Sequence, residues 1–262
     1  MAAVQPRSYE KYGKYINRKN RRREKKWGKG FFLLLAAAAV AVIIFQGRVF
    51  VVKEVEVTGN SAFGQSEVTG LSGISLGMSI FKVDAEEVER NFSANRYVEL
   101  LKVETELPDK VKITIRERTP RAAINCAGVI LVVDEEGFIL ERRTTVPDDD
   151  GIVVVSGINA SVNSQSTHIE SEMIGQTALM KKMLNAIREE QVNGLISELN
   201  VSNPDNIYLI SETGIQVLIG DEERLPEKFV WMRAVLEELT NKGVMRGVLD
   251  VSSGKNAVYA ER

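Results

Sequence analysis

Residues that could carry catalysis are few and scattered in this 262-residue chain. His168 is the only histidine and Cys126 the only cysteine, and neither lies in a motif for an activated nucleophile. The acidic pairs Glu86–Glu87 and Glu222–Glu223 stand where helices are predicted to begin, a position at which negative charge is stabilising. We therefore predict no catalytic, cofactor-binding or metal-binding residue and expect a protein that is not an enzyme. A hydrolase with two carboxylates is the alternative, because the sequence does not reveal their separation in space.

Metal ions and nucleic acids are also disfavoured as ligands. Three consecutive aspartates, Asp148 to Asp150, could attract calcium, but they lack the twelve-residue spacing of an EF-hand, which favours a solvated turn. Basic residues concentrate in residues 1–30, which hold eleven Lys or Arg against two Glu, whereas the rest of the chain holds 23 basic and 34 acidic residues. No folded basic motif or pattern of stacking aromatic residues accompanies this charge, so nucleic-acid binding is not expected.

An apolar stretch follows the basic segment and runs without a polar side chain from Phe31 to Phe45. It predicts one transmembrane helix over residues 31–52, because flanking basic side chains can reach the two membrane interfaces. The positive-inside rule then predicts a cytoplasmic tail, residues 1–30, and places residues 53–262 on the other side. The tail would also be attracted to anionic lipid of the plasma membrane. A cleaved signal peptide and a buried soluble helix are the alternatives.

Residues 53–120 have the pattern of a small β-α-α-β-β domain. Apolar and charged residues alternate over three stretches, which predicts strands at 51–57, 97–106 and 111–117. Two short helices are predicted between the first two strands, one near residues 65–71 and one that begins at the capping box of Asp84 and Glu87.

Residues 121–262 are predicted to form a larger, strand-rich domain. Apolar residues recur at helical spacing over residues 170–190 and 225–239, which predicts two amphipathic helices. Short apolar runs between turn residues predict the strands, and the last long strand is expected at Gly247–Val251. The predicted fold class is α+β: a single transmembrane helix, a small β-α-α-β-β domain and a strand-rich domain with two amphipathic helices.

The order of these features resembles that of the bacterial division proteins FtsQ and DivIB. The segments that carry the resemblance are Val55–Asn60, Val83–Asp84 and Glu117–Pro120, in a POTRA-like module directly after a basic tail and an anchor. The resemblance implies a POTRA domain followed by an FtsQ-type β domain, in a non-enzymatic single-pass scaffold enriched at the division septum. It also implies binding to FtsB/DivIC-like and FtsL-like bitopic proteins and a role in regulating septal peptidoglycan synthesis. A POTRA-bearing component of polypeptide transport or assembly is the alternative.

The candidate partner-binding site is the strand near the carboxy-terminal end. In the family such strands provide an open edge, and Val248–Val251 resembles the corresponding segment. An open edge presents a row of unpaired N–H and C=O groups to which a partner segment can add as a further strand. The alternative is that this strand is only a protected edge of the sheet and binds no partner. The predicted partner-binding residues are Val248, Leu249, Asp250, Val251, Ser252 and Ser253.

Overall fold

The computed structural model of the protein describes residues 29–42, 49–148 and 151–261. Residues 29–42 are helical and are called α1. Nowhere in these three ranges is there a helix whose length and apolar character would let it cross a membrane. Part of the predicted transmembrane span, residues 43–48, and nearly all of the predicted cytoplasmic tail lie outside the described residues.

The predicted helix does not continue to residue 52. Residues 49–50 form a turn, and Val51 forms an isolated β-bridge to Ser79. The N–H of Val52 donates to Met78 O at 2.9 Å, and its side chain is fully buried. These residues therefore pack with the domain that follows, because their apolar side chains and main-chain groups find partners there.

Helices and strands alternate irregularly along the rest of the chain. The helices are α2 (Gln65–Ser72), α3 (Ala85–Ser93), α4 (Gln176–Glu189) and α5 (Leu225–Asn241). The first strands are β1 (Glu54–Thr58), β2 (Val98–Glu106), β3 (Lys110–Glu117), β4 (Ala122–Cys126), β5 (Val129–Val133), β6 (Ile139–Arg143) and β7 (Val153–Ser156). The later strands are β8 (Ala160–Ser161), β9 (Glu170–Ser171), β10 (Ile196–Asn200), β11 (Ile207–Ser211), β12 (Gln216–Gly220), β13 (Val248–Asp250) and β14 (Val258–Ala260).

The contacts divide the chain into two compact units. One contains the described residues up to Asn91 together with Leu100–Ile115, and the other contains Phe92–Glu99 and the residues from Arg116 onward. Neither unit is one continuous segment. The contacts therefore do not test the predicted boundary between residues 120 and 121, which stays a prediction.

The first three strands form a sheet in the order β1-β3-β2. β1 runs parallel to β3, with Glu54 opposite Lys110 and Thr58 opposite Thr114. Every second residue of β3 is buried, from Val111 to Ile115, as the alternation of apolar and charged residues predicts. With α2 and α3 between β1 and β2, the predicted β-α-α-β-β order is confirmed.

Within the described residues, nine strands form the second sheet, in the order β14-β13-β12-β11-β10-β7-β4-β5-β6. Alternate residues of these strands form one buried cluster with the apolar faces of α4 and α5. Met180 and Met183 of α4 and Phe229 and Met232 of α5 are fully buried in this cluster. The prediction of a strand-rich domain with two amphipathic helices is therefore confirmed.

Candidate functional site

The strand predicted to be the open edge of the second sheet lies inside it. β13 pairs in parallel with β12 and antiparallel with β14, so both of its sides are hydrogen-bonded. β13 is therefore not the edge strand that was expected, whereas partner binding by Val248 to Ser253 stays a prediction. The edge strand is β14, which forms because the chain turns back after β13 and its short apolar run at Val258–Ala260 pairs with β13.

The six predicted partner-binding residues occupy two different environments. Leu249 and Val251 are fully buried in the core, and Val248 is half-buried. Asp250, Ser252 and Ser253 are exposed. A proline substitution at Leu249 or Val251 would therefore disturb the core, and it could not test partner binding by itself.

Ser252 and Ser253 lie in the turn that joins β13 to β14. Asp250 Oδ1 accepts a hydrogen bond from the N–H of Ser252 at 2.9 Å, and Ser253 Oγ accepts one from the N–H of Lys255 at 3.2 Å. The guanidinium of Arg224 donates to Ser253 O at 3.1 Å and to Gly254 O at 2.9 Å. Arg224 immediately precedes α5, so this helix helps to position the turn and hence β14.

The direction of the main-chain groups in β14 follows from the pairing of β13. Gln216 N–H donates to Gly247 O, and Val251 N–H donates to Leu218 O, both at 3.1 Å. Gly247, Leu249 and Val251 therefore direct their main-chain N–H and C=O groups at β12. The even-numbered residues between them, Val248 and Asp250, direct theirs at β14.

The partners of the even-numbered residues in β14 are Val258 and Ala260. Tyr259, which lies between them, therefore points its main-chain N–H and C=O away from β13. Among the described residues, no strand pairs with this outer side of β14. We call this outer side, from Val258 to Glu261, the β14 edge.

The side chain of Tyr259 also holds β14 against the start of β13. Its hydroxyl donates to Arg246 O at 2.5 Å, and its ring covers Gly247. Gly247 has φ +141°, and a Cβ at this position would lie 2.6 Å from the ring and hydroxyl of Tyr259 and 2.7 Å from Ala260 O. Glycine is therefore required for the close approach of the two strands.

The opposite end of the second sheet is covered. Strand β6 lies at this end, and the segment before β9 runs along it. The guanidinium of Arg142 donates to Asn163 O at 2.7 Å. At the first residue of β6, Ile139 N–H donates to Thr167 O at 2.8 Å. The β14 edge is therefore the better candidate for a partner strand.

Cys126 and His168, which were considered for chemistry, lie apart from this edge and have structural contacts. Cys126 Sγ donates to Ala160 O at 3.1 Å. His168 Nδ1 lies 3.1 Å from Thr167 Oγ1, and its ring contacts Phe138 edge-on. Within the part of the chain that the structure describes, no cluster of three or more His, Cys, Asp or Glu could hold a metal ion. Of the three aspartates considered for calcium, only Asp148 is described.

An ion pair supports the start of α5, next to Arg224. Lys228 is almost fully buried, and its Nζ donates to Asp221 Oδ1 at 2.6 Å and to Asp221 O at 3.0 Å. The hydrogen bond from Lys228 lowers the pKa of Asp221, with a further contribution from the N–H of Glu223. Sequence reasoning missed this pair because lysine side chains are mostly exposed and no local pattern marks Lys228 as buried.

An edge strand such as β14, which pairs on only one side within the described residues, can take up a partner segment by strand addition. Two family models match the chain: "POTRA domain, FtsQ-type" over residues 50–118, and "Cell division protein FtsQ/DivIB, C-terminal" over residues 123–252. This chain belongs to the FtsQ/DivIB family of bacterial cell-division proteins. The second match ends before β14 begins.

Curated relatives carry the same family names. Cell division protein DivIB of Clostridium tetani is 28% identical over 219 residues, which are 82% of this chain and 81% of the relative. Cell division protein FtsQ of Streptomyces bingchenggensis is 29% identical over 189 residues, 71% of this chain and 68% of the relative. Cell division protein DivIB of Bacillus subtilis is 30% identical over 125 residues, 47% of each chain.

Proposed function

We propose that this protein is a non-enzymatic scaffold of the bacterial division machinery and that it binds partners by strand addition along the β14 edge. The observation that carries this proposal is the outward-facing main chain of Tyr259, at an edge of the sheet with which no other described strand pairs. Membership in the FtsQ/DivIB family supports the role in division. The partners in this proposal are FtsB/DivIC-like and FtsL-like bitopic proteins, and their binding helps to regulate septal peptidoglycan synthesis.

The side chains of β14 would add specificity to the main-chain hydrogen bonds. Val258 is 58% exposed, and Ala260 is exposed on the same face of the strand. An apolar residue of an incoming strand would contact this face, whereas Tyr259 on the other face packs against the core. Cross-strand pairs of this kind contribute about 0.2–1 kcal/mol each.

The proposed scaffold is a single-pass protein of the plasma membrane with a cytoplasmic amino terminus. The apolar run from Phe31 to Phe45 and the basic tail before it support this topology. The tail would bind anionic lipid. Because the bitopic partners share the same membrane, their effective concentration is high, and a short edge strand can contribute to a stable complex.

A matched pair of substitutions at Glu261 tests strand addition. Glu261 follows β14, is exposed, and continues the outward orientation of Tyr259 by alternation. Glu261→Pro removes an outward N–H without breaking the pairing of β13 with β14, whereas Glu261→Ala removes the side chain and retains the N–H. We expect Glu261→Pro to weaken capture of the partner by roughly fivefold, from the loss of about 1 kcal/mol of hydrogen bonding, and Glu261→Ala to have little effect.

Capture is measured by pull-down of the full chain from membranes of dividing cells, through a tag at the amino terminus. Circular dichroism shows whether each variant is folded. If the folded Glu261→Pro variant captures the bitopic proteins as well as Glu261→Ala does, strand addition at the β14 edge is wrong. If no form captures them, the scaffold proposal loses its main support.

A further inference from the structure

Four large apolar side chains are exposed at one end of the first sheet. They belong to Val49, Leu76, Phe81 and Leu107, with exposed fractions of 39%, 66%, 61% and 62%. We call this group the apolar collar. Large apolar side chains that are exposed together on a small domain indicate a contact surface.

Strand topology brings these distant parts of the sequence to the same end. β1 and β3 are parallel and start level, with Glu54 opposite Lys110. The chain that enters β1 and the turn 107–109 that enters β3 must therefore lie at the same end of the sheet. Val49 comes from the first of these segments and Leu107 from the second.

The loop that carries Leu76 and Phe81 is hydrogen-bonded to the segment before β1. Gly77 N–H donates to Val52 O at 2.7 Å, and Ile80 N–H donates to Phe50 O at 3.1 Å. The ring of Phe81 also contacts that of Phe50, with 5.4 Å between the ring centroids. The apolar collar is therefore held around the point where the chain enters the domain.

The short stretch of chain between α1 and the apolar collar indicates which surface the collar contacts. The described part of α1 reaches residue 42, and its side chains are exposed on every face, including five consecutive large apolar residues from Phe31 to Leu35. Residues 43–48 join residue 42 to Val49, and a chain of this length spans at most about 25 Å. If α1 lies in a bilayer, the collar is within reach of the membrane surface.

The charged residues at this end favour a contact that is mainly apolar. Lys53 pairs with Asp109 at 2.7 Å, and Lys110 pairs with Glu56 at 2.5 Å and with Glu54 at 3.5 Å. Since these opposite charges largely compensate each other, neither strong attraction to an anionic surface nor strong repulsion from it is expected.

We propose that the apolar collar inserts into the interfacial layer of the lipid bilayer and holds the first domain against the membrane. This inference rests on the proposed membrane anchor. Apolar side chains bury at the boundary between headgroups and acyl chains, where binding scales with the apolar area that enters. The docked domain has its entry point at the membrane, and the far end of β1, at Thr58, points away from it.

Fluorescence quenching in reconstituted vesicles tests this proposal on the full chain. Single cysteines replace Leu76, Phe81, Thr58 or Ala37 in a Cys126→Ser background, and each carries an environment-sensitive dye. The vesicles consist of phosphatidylcholine with a fraction of lipid that carries a nitroxide near the headgroup. We expect the dyes at Leu76→Cys and Phe81→Cys to lose fluorescence in high and low salt, and the dye at Thr58→Cys to lose none.

The dye at Ala37→Cys separates failure of the collar from failure of the anchor. If this dye is quenched by nitroxide deeper in the bilayer while those at Leu76→Cys and Phe81→Cys behave like that at Thr58→Cys, the collar proposal is overturned and the anchor stands. If the dye at Ala37→Cys is never quenched, the anchor fails and the collar proposal fails with it. The collar dyes could instead be shielded from water in native membranes and yet not be quenched by nitroxide lipid in vesicles. This result would indicate that the collar binds a protein partner, and it would overturn the proposal.

A second set of variants tests whether the collar acts as a unit. With the dye at Leu107→Cys, the double substitution of Leu76→Ser and Phe81→Ser should abolish quenching, because the remaining apolar surface is too small to insert. Leu101→Ser is the matched control, since Leu101 is 55% exposed but lies in β2, away from this end of the sheet. Equal quenching in the double variant and in the control would overturn the proposal.

Discussion

The pairing of the edge strand β14 depends on Gly247. A side chain at this position would collide with the ring of Tyr259 and with the main chain of Ala260. The main-chain atom cannot move without shifting β14 away from β13. The position of the proposed binding edge therefore depends on a residue that would not itself contact the partner.

We predict that Gly247→Ala lowers the free energy of unfolding by about 1–3 kcal/mol, because of the collision and the strained positive φ. Urea unfolding measures this change. Gly194→Ala is the control, since a Cβ at Gly194 would meet nothing within 4 Å and no positive φ is required there. Equal stability of the two variants would contradict the role given to Gly247.

A second prediction concerns the buried ammonium group of Lys228. Since folding lowers the pKa of Asp221, its carboxylate stabilises the fold at pH values above its ordinary pKa of 3.8. This contribution is lost as the pH falls through the lower pKa of the folded state. Asp221→Asn should therefore destabilise the protein at pH 7, and the difference should shrink as the pH falls below 3.8.

Urea unfolding at a series of pH values checks this prediction. Glu238→Gln is the control: Lys242 also lowers the pKa of Glu238, but both side chains of this pair are 62% exposed. An exposed pair contributes little to stability. If the two variants lose equal stability at pH 7, burial of Lys228 does not strengthen its interaction with Asp221.

At the scale of the element, α5 and β14 act as one unit through Arg224. Arg224 has a positive φ of 55° at the start of α5, and its guanidinium binds two carbonyl groups of the turn before β14. The amphipathic pattern of α5 buries Phe229 and Met232, which fixes the helix to the sheet. The turn thereby acquires a rigid support.

We predict that Arg224→Ala loosens the turn and β14 with only a small loss of global stability. The two lost hydrogen bonds are charge-assisted but partly exposed. Amide hydrogen exchange should become faster at Val258 and Ala260 while the buried strands stay protected. Lys255→Ala, in the same turn, should leave exchange unchanged, because Ser253 Oγ accepts from the N–H of Lys255 and not from its side chain. Faster exchange across the whole sheet would contradict this account.

The sequence predicted those helices and strands in which apolar residues recur with a clear helical or strand periodicity. The alternation in β3 and the helical spacing in α5 are strong because each element buries one face. β4 was not predicted, since Ala122 and Ala123 have little strand preference and the strand is set by its neighbours β5 and β7. α4 begins only at Gln176, because Gly175 before it has a positive φ.

The candidate site was predicted only in its approximate place. The strand predicted at Gly247–Val251 is β13, Val248–Asp250, but whether it forms the edge depends on the pairing of the chain that returns after it. Val258 to Ala260 is too short to indicate a strand by periodicity, and its state comes from pairing with β13. The parallel pairs β7–β10 and β12–β13 are likewise long-range and were not predicted.

At the scale of the whole molecule, charge and hydrophobicity are separated along the chain. The basic residues 1–30, the apolar run 31–45 and the acidic remainder follow one another. In the proposed arrangement the membrane fixes one end of the protein, and the β14 edge is available to partners in the same membrane. Confinement then allows a small edge to contribute to a stable assembly.

Residue-resolved amide hydrogen exchange of the full chain in vesicles, with and without an FtsB/DivIC-like partner, tests strand addition most directly. Without the partner, Tyr259 should exchange fast and Val258 and Ala260 slowly, because only the latter two are bonded to β13. With the partner, Tyr259 and Glu261 should become protected. Unchanged exchange at Tyr259, together with new protection at β6 or in the first sheet, would contradict the proposal that the β14 edge binds the partner.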